Sequence, residues 1–160
     1  MLREKHKGGF FTSPITKHTS HIVGYAYVDD TDIIIMNNNG INLTMEEVVD
    51  DMQEAINIWE GGLKASGGAI VPAKSWVYPI EFGFDQSGQW HYKSKDEIGA
   101  EFTVKDHNNQ LGPLQTLNVS EGRETLGLLL APDGNNEDAV DELLKKATEW
   151  KELVQVGHLK

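Results

Sequence analysis

The sequence predicts an α+β fold, and three observations predict it. Residues 22–36 read as strand, tight turn, strand. Helical periodicity then appears twice, once after residue 44 and once after residue 137. Between those two stretches lie short runs rich in aromatic and β-branched residues, separated by Gly, Pro, Asn and Asp. The order hairpin, helix, strands, helix argues for segregated layers and not for an alternating parallel sheet.

Each element has its own justification. Residues 1–20 hold the breakers Gly8-Gly9 and Ser13-Pro14 among scattered polar groups, which predicts an irregular segment. In Gly24-Tyr25-Ala26-Tyr27-Val28-Asp29-Asp30-Thr31-Asp32 an apolar and aromatic run meets two adjacent carboxylates, and Ile33-Ile34-Ile35-Met36 leads away, so Asp29 and Asp30 are expected at a hairpin tip. Asn37-Asn38-Asn39-Gly40 suits a turn with positive φ. Thr44 and Glu47 stand in capping-box spacing, and Met45, Val48, Val49, Met52, Ala55, Ile56 and Trp59 recur at steps of three and four on one face. Gly61-Gly62 weakens the end of that helix and Gly67-Gly68 closes it.

Trp76-Val77-Tyr78-Pro79-Ile80-Glu81-Phe82-Gly83-Phe84 alternates as a strand does, with Pro79 pointing to an edge. Asp85-Gln86-Ser87-Gly88 turns the chain and Gln89-Trp90-His91-Tyr92 pairs back. Strands are expected at 101–104 and 114–119 and, as a short buried strand, at 126–130. Pro132-Asp133-Gly134-Asn135 stops the last of these. The final helix, from about Glu137 to Val156, sets Val140, Leu143, Leu144, Ala147, Trp150, Leu153 and Val154 on one face.

Composition narrows the function classes. A chain of 160 residues is one domain by length. It has no apolar stretch long enough to span a bilayer, so no membrane is expected as a partner. Met1-Leu2-Arg3-Glu4-Lys5-His6-Lys7 is charged and lacks the apolar core of a signal peptide, and cysteine is absent. These features predict an intracellular protein, in cytoplasm or nucleus, that is not secreted, and the sequons at Asn42 and Asn118 then read as chance matches. The net charge of −11 argues against free-standing nucleic-acid binding, which rests on Lys and Arg at phosphates.

Asp29 and Asp30 carry the strongest chemical signal. Two acids on one tight turn repel each other unless a positive charge sits beside them. A hard divalent cation supplies it, because Mg²⁺ prefers oxygen ligands and retains waters and substrate phosphates. The other candidates are weak. The six histidines show no metal-ligand spacing, Gly61 to Gly68 lacks the spacing of a P-loop, and residues 133–138 lack the central Gly and terminal Glu of a calcium loop.

Tyr27-Val28-Asp29-Asp30 resembles the palm-subdomain catalytic hairpin of retrotransposon-type reverse transcriptases, the RNA-directed DNA polymerases. Two further segments follow in the family's order. After the Thr44 helix, Gly67-Gly68-Ala69-Ile70-Val71-Pro72-Ala73-Lys74 puts Lys74 where the family has a lysine thought to protonate the departing pyrophosphate. Glu124-Thr125-Leu126-Gly127-Leu128 is similar to the Leu-Gly-Val strand at the palm–thumb junction.

The resemblance spans roughly residues 20–160. It implies a palm-like region at 21–131 and a thumb-like helix at 132–160. It also implies Asp29 and Asp30 as Mg²⁺ ligands of a two-metal site, Lys74 as a general acid, and Tyr27, Val28, Leu126 and Gly127 near nucleotide and primer. The implied partners are an RNA template, a DNA primer and a deoxynucleoside triphosphate, with in-line attack of the primer 3′-hydroxyl on the α-phosphate.

The chain departs from the family pattern in two places. Only 28 residues precede Asp29, and they hold neither the further metal-binding aspartate of an earlier palm strand nor the Gln-Gly-type segment that guides the nucleotide. The fingers are absent as well. The expectation is a C-terminal fragment of a split or decayed polymerase, missing its N-terminal polymerase segment and inactive alone. The alternative is a non-catalytic, acidic α+β protein-interaction domain.

Overall fold

The computed structural model describes residues 8–27, 30–36, 43–125 and 128–157. The chain divides into two compact units, Met1–Leu117 and Asn118–Lys160. The architecture is α+β, as expected. Among the described residues, short strands join in six two-stranded pairs, five antiparallel and one parallel, and three α-helices accompany them.

In the first unit, β1 (Gly9–Thr12) pairs antiparallel with β2 (Thr19–Ile22). This corrects the expectation of an irregular segment over residues 1–20. Phe10, Phe11, Thr12, Thr19 and Ile22 are β-formers. The breakers at 13–14 make the connection between the strands: the Ser13 hydroxyl accepts the N–H groups of Ile15 and Thr16, and Lys17 takes φ +58°. The sequence does not announce these strands because they are short and lack apolar–polar alternation. β3 (Gly24–Tyr27) then pairs with β4 (Asp30–Ile33), and the Ile34 N–H to Val23 carbonyl bond extends the ladder by one step. The expected turn at residues 37–40 lies outside the described residues.

Helix α1 (Met45–Ala65) starts where the sequence says it should. The Thr44 N–H donates to Glu47 Oε2 at 2.7 Å and the Glu47 N–H to Thr44 Oγ1 at 3.3 Å, a complete capping box. Ala55 and Ile56 are buried, and Val49 and Met52, partly buried, pack against the core cluster that contains Ile56. The helix runs through Gly61 and Gly62 and ends three residues later. Gly67, at φ +86°, donates to the Lys64 carbonyl and Gly68 to the Leu63 carbonyl, so the final carbonyls are satisfied in a Schellman closure.

The expected single strand over 76–84 is two pieces, β5 (Trp76–Val77) and β6 (Phe82–Phe84). Pro79, buried, sits in the gap and has no N–H to give to a ladder. β6 pairs with β7 (Trp90–Tyr92). A short helix not foreseen, α2 (Lys95–Ile98), follows with its own capping box from Ser94 and Glu97 and closes on Gly99 in the left-handed region. β8 (Thr103–Lys105) pairs with β9 (Leu111–Pro113), and β10 (Gln115–Thr116) returns parallel to β5.

Ile56, Val77, Ala100, Phe102, Val104 and Leu114 form the core of this unit. Burying a side chain such as Phe102 contributes about 1.5–3 kcal/mol. Helix α1 also binds β8 through polar groups. Gln53 Nε2 donates to the Thr103 carbonyl and Gln53 Oε1 accepts the Thr103 N–H, both at 2.9 Å, and two turns on Glu60 Oε2 accepts the Lys105 N–H at 3.1 Å.

In the second unit, β11 (Arg123–Thr125) pairs with β12 (Leu128–Leu130) and α3 (Glu137–Gln155) follows. Asn135 Oδ1 accepts the Glu137 N–H at the start of α3. Two expectations need correction here. Leu130, expected in a buried strand, is 54% exposed. The apolar stripe of α3 contains no buried residue, although its spacing is that of a core-facing helix.

Candidate functional site

The β3–β4 ladder pairs Gly24 with Ile33, Tyr25 with Asp32, Ala26 with Thr31 and Tyr27 with Asp30. It therefore closes at the Tyr27–Asp30 rung. Val28, Asp29 and the Tyr27 side chain lie outside what is described. Asp30 opens β4 and is exposed. Asp32, two residues on, shares its face of the ribbon and is half-buried.

Asp32 was not singled out from the sequence, yet it has the clearest electrostatic partner in this hairpin. The Tyr25 hydroxyl bonds its carboxylate across the ladder. Burial, that bond and the carboxylate's charge together raise the Tyr25 phenol above its ordinary pKa. The signal was available: residues 25 and 32 are symmetric about the Val28–Asp29 connection, so any hairpin closing there makes them cross-strand partners. Gly24 is needed for the close approach of the two backbones, since a Cβ there would lie 2.3 Å from the Asp32 carbonyl oxygen.

The other sequence candidates are spread along the chain. Lys74 ends a 3₁₀ turn, Pro72–Lys74, which its own N–H closes onto the Val71 carbonyl at 2.9 Å. Its residue is exposed, and the ion pairs among the described residues do not include it. Leu126 and Gly127 lie outside the described residues, between the paired Thr125 and Leu128.

A second feature emerges only in three dimensions. The β6–β7 register sets Phe82 opposite Tyr92 and Phe84 opposite Trp90. Phe82, Trp90 and Tyr92 gather their rings at centroid separations of 5.1–5.8 Å, with Trp90 edge-on to both neighbours. Phe82 and Trp90 remain 55% and 56% exposed. An aromatic pair on each strand, aligned across Asp85-Gln86-Ser87-Gly88, was the available signal.

The donor set bears on the metal. Among the described residues, no group of three or more His, Asp or Glu side chains converges on one point. The exposed Asp30 carboxylate, with Asp29 adjacent in sequence, suits one hard cation that keeps most of its water. A two-metal site needs more shared carboxylates. β1 and β2 carry none, and Asp32 already accepts the Tyr25 hydroxyl. No helix among the described residues is long and apolar enough to cross a membrane. No protein-family model, no curated protein and no solved structure matches the chain.

Proposed function

We propose that this chain is the palm and thumb-start portion of a retrotransposon-type RNA-directed DNA polymerase, unable to polymerise by itself. One observation carries the reading. Tyr27-Val28-Asp29-Asp30 spans the closing rung of an antiparallel strand pair, and a capped helix begins soon after at Met45. The order of Lys74 and Leu126-Gly127 downstream supports it.

In the intact enzyme Asp29 and Asp30 would hold Mg²⁺, which when bound offsets the charge that develops on the transferring phosphate. The paired strands would fix both carboxylates against an RNA template, a DNA primer and a nucleotide, and Lys74 would give a proton to pyrophosphate. The test is Mn²⁺ titration followed by NMR. Broadening is expected to concentrate at the amides of residues 28–32 and to disappear in Asp29→Ala. Unchanged spectra sink the metal role.

A second reading, a non-catalytic acidic interaction domain, is favoured by the exposed aromatic cluster of Phe82, Trp90 and Tyr92 and by the charge of −11. It predicts no Mn²⁺ response at the hairpin.

A further inference from the structure

Helix α3 docks on its own hairpin by the wrong face. Asp138 Oδ2 accepts the Gly122 N–H at 3.2 Å, and Ala139 and Glu142 are half-buried. This is the edge that meets the β11–β12 side of the unit. The apolar stripe of Val140, Leu143, Leu144, Ala147, Trp150 and Val154 points elsewhere on the helix, well round from that edge by the helical repeat. Its large side chains are exposed, from 38% at Val154 to 66% at Leu143. An apolar stripe of this length marks a contact surface.

The stripe itself identifies what covers it. Val140, Ala147 and Val154 repeat every seven residues, with Leu143 and Trp150 three residues after the first two, which is the a/d pattern of helix pairing. Charge then sets the direction. Glu137, Asp138, Asp141 and Glu142 fill the N-terminal part with no intervening base, and Lys145, Lys146 and Lys151 lie in the remainder, where they outnumber Glu149 and Glu152. A parallel pair of α3 helices would set the two acidic N-terminal parts side by side. An antiparallel pair carries each acidic segment away from its copy and also opposes the helix dipoles favourably. Shape agrees with charge: an antiparallel crossing centred on the small Ala147 lets the two helices approach closely and sets Val140 against Val154 and Leu144 against Trp150 of the other copy.

We propose that α3 is a self-association element, pairing antiparallel with α3 of a second copy of this chain across the Val140–Val154 stripe. This stands whether or not the polymerase reading does, because it uses no residue of the β3–β4 hairpin.

Cysteine is absent from the sequence, so each introduced thiol is the only one. Under mild oxidation of the full chain, Ala147→Cys is expected to form a disulfide-linked dimer. Val140→Cys is expected not to link to itself but to link when mixed with Val154→Cys. In sedimentation, Leu143→Glu should weaken association on the order of tenfold or more, given what burying a leucine contributes. Circular dichroism reports whether this variant keeps its helix; if it does not, the thiol variants still decide. Self-linking of Val140→Cys overturns the antiparallel arrangement. A wild-type chain that sediments as a monomer at every concentration, with Ala147→Cys failing to link, overturns the proposal.

Discussion

Glu60 shows how one residue ties a helix to a strand. It is the single charged residue buried to 9% exposure among the described residues. One carboxylate oxygen accepts the Lys105 N–H, and the other pairs with Lys64 at 2.8 Å. The Lys64 bond is the largest cause holding the Glu60 carboxyl below its ordinary pKa, against burial, which pushes the other way. A carboxyl with a depressed folded pKa stabilises the fold above its unfolded pKa, and that stability is lost as pH falls through the folded value. Glu60→Gln should therefore lower stability by about 1 kcal/mol near neutral pH, the net worth of one such bond. The deficit should shrink on acidification as wild-type Glu60 takes up its proton. Urea unfolding at neutral and acid pH reads both; a gap that stays constant would contradict the linkage. The sequence could not single Glu60 out, because at position 60 it sits among helix residues whose other acids are solvated.

At the scale of elements, two hairpins share one turn design. Asp85 Oδ1 accepts the Ser87 and Gln89 N–H groups at 2.8 and 2.9 Å, and Asp106 Oδ1 accepts those of Asn108 and Gln110 at the same two distances. The fourth residue of each turn has positive φ: Gly88 at +81° and Asn109 at +61°. These bonds hold both aspartates below the ordinary carboxylate range, led by the Ser87 side chain at Asp85 and by the Gln110 backbone at Asp106. A Cβ at Gly88 would meet nothing within 4 Å, so only its backbone angle objects to substitution. Gly88→Ala should cost about 1–2 kcal/mol from the left-handed conformation, whereas Asn109→Gly should be neutral or mildly stabilising; thermal unfolding of both variants checks this. The Asp85 turn was legible because Asp and Gly are its written signals. Both long helices were legible too, through periodicity and, at Thr44, the capping box. β1 and β2 were not, since four-residue strands without apolar–polar alternation are defined by their partner and not by their own pattern. The break at Pro79 was half-legible: proline announced an interruption, and only the packing decided that it would be a gap between strands.

At the scale of the whole molecule, charge and the distribution of acids govern what the chain can do. The strand pair around Asp29 and Asp30 was readable from the sequence, and its register follows. The surroundings were not, because they depend on which strands lie beside it, and those contacts are long-range. With a net charge of −11 and no converging set of three acids among the described residues, the purified chain should show no Mg²⁺-dependent primer extension, and Asp30→Asn should leave that baseline unaltered. Clear synthesis abolished by Asp30→Asn would instead mean that the chain is a polymerase in its own right.

The clasp of Gln53 and Glu60 on β8 has a consequence beyond holding a helix in place. A two-stranded ribbon has two unpaired edges, and each is a template on which a foreign strand can grow. On β8 the outward-facing groups of Thr103 and the N–H of Lys105 are already occupied by side chains of α1. That border of the ribbon is closed to strand addition, so at this ribbon recruitment of an extended peptide, or runaway stacking of chains, has to begin at the β9 border.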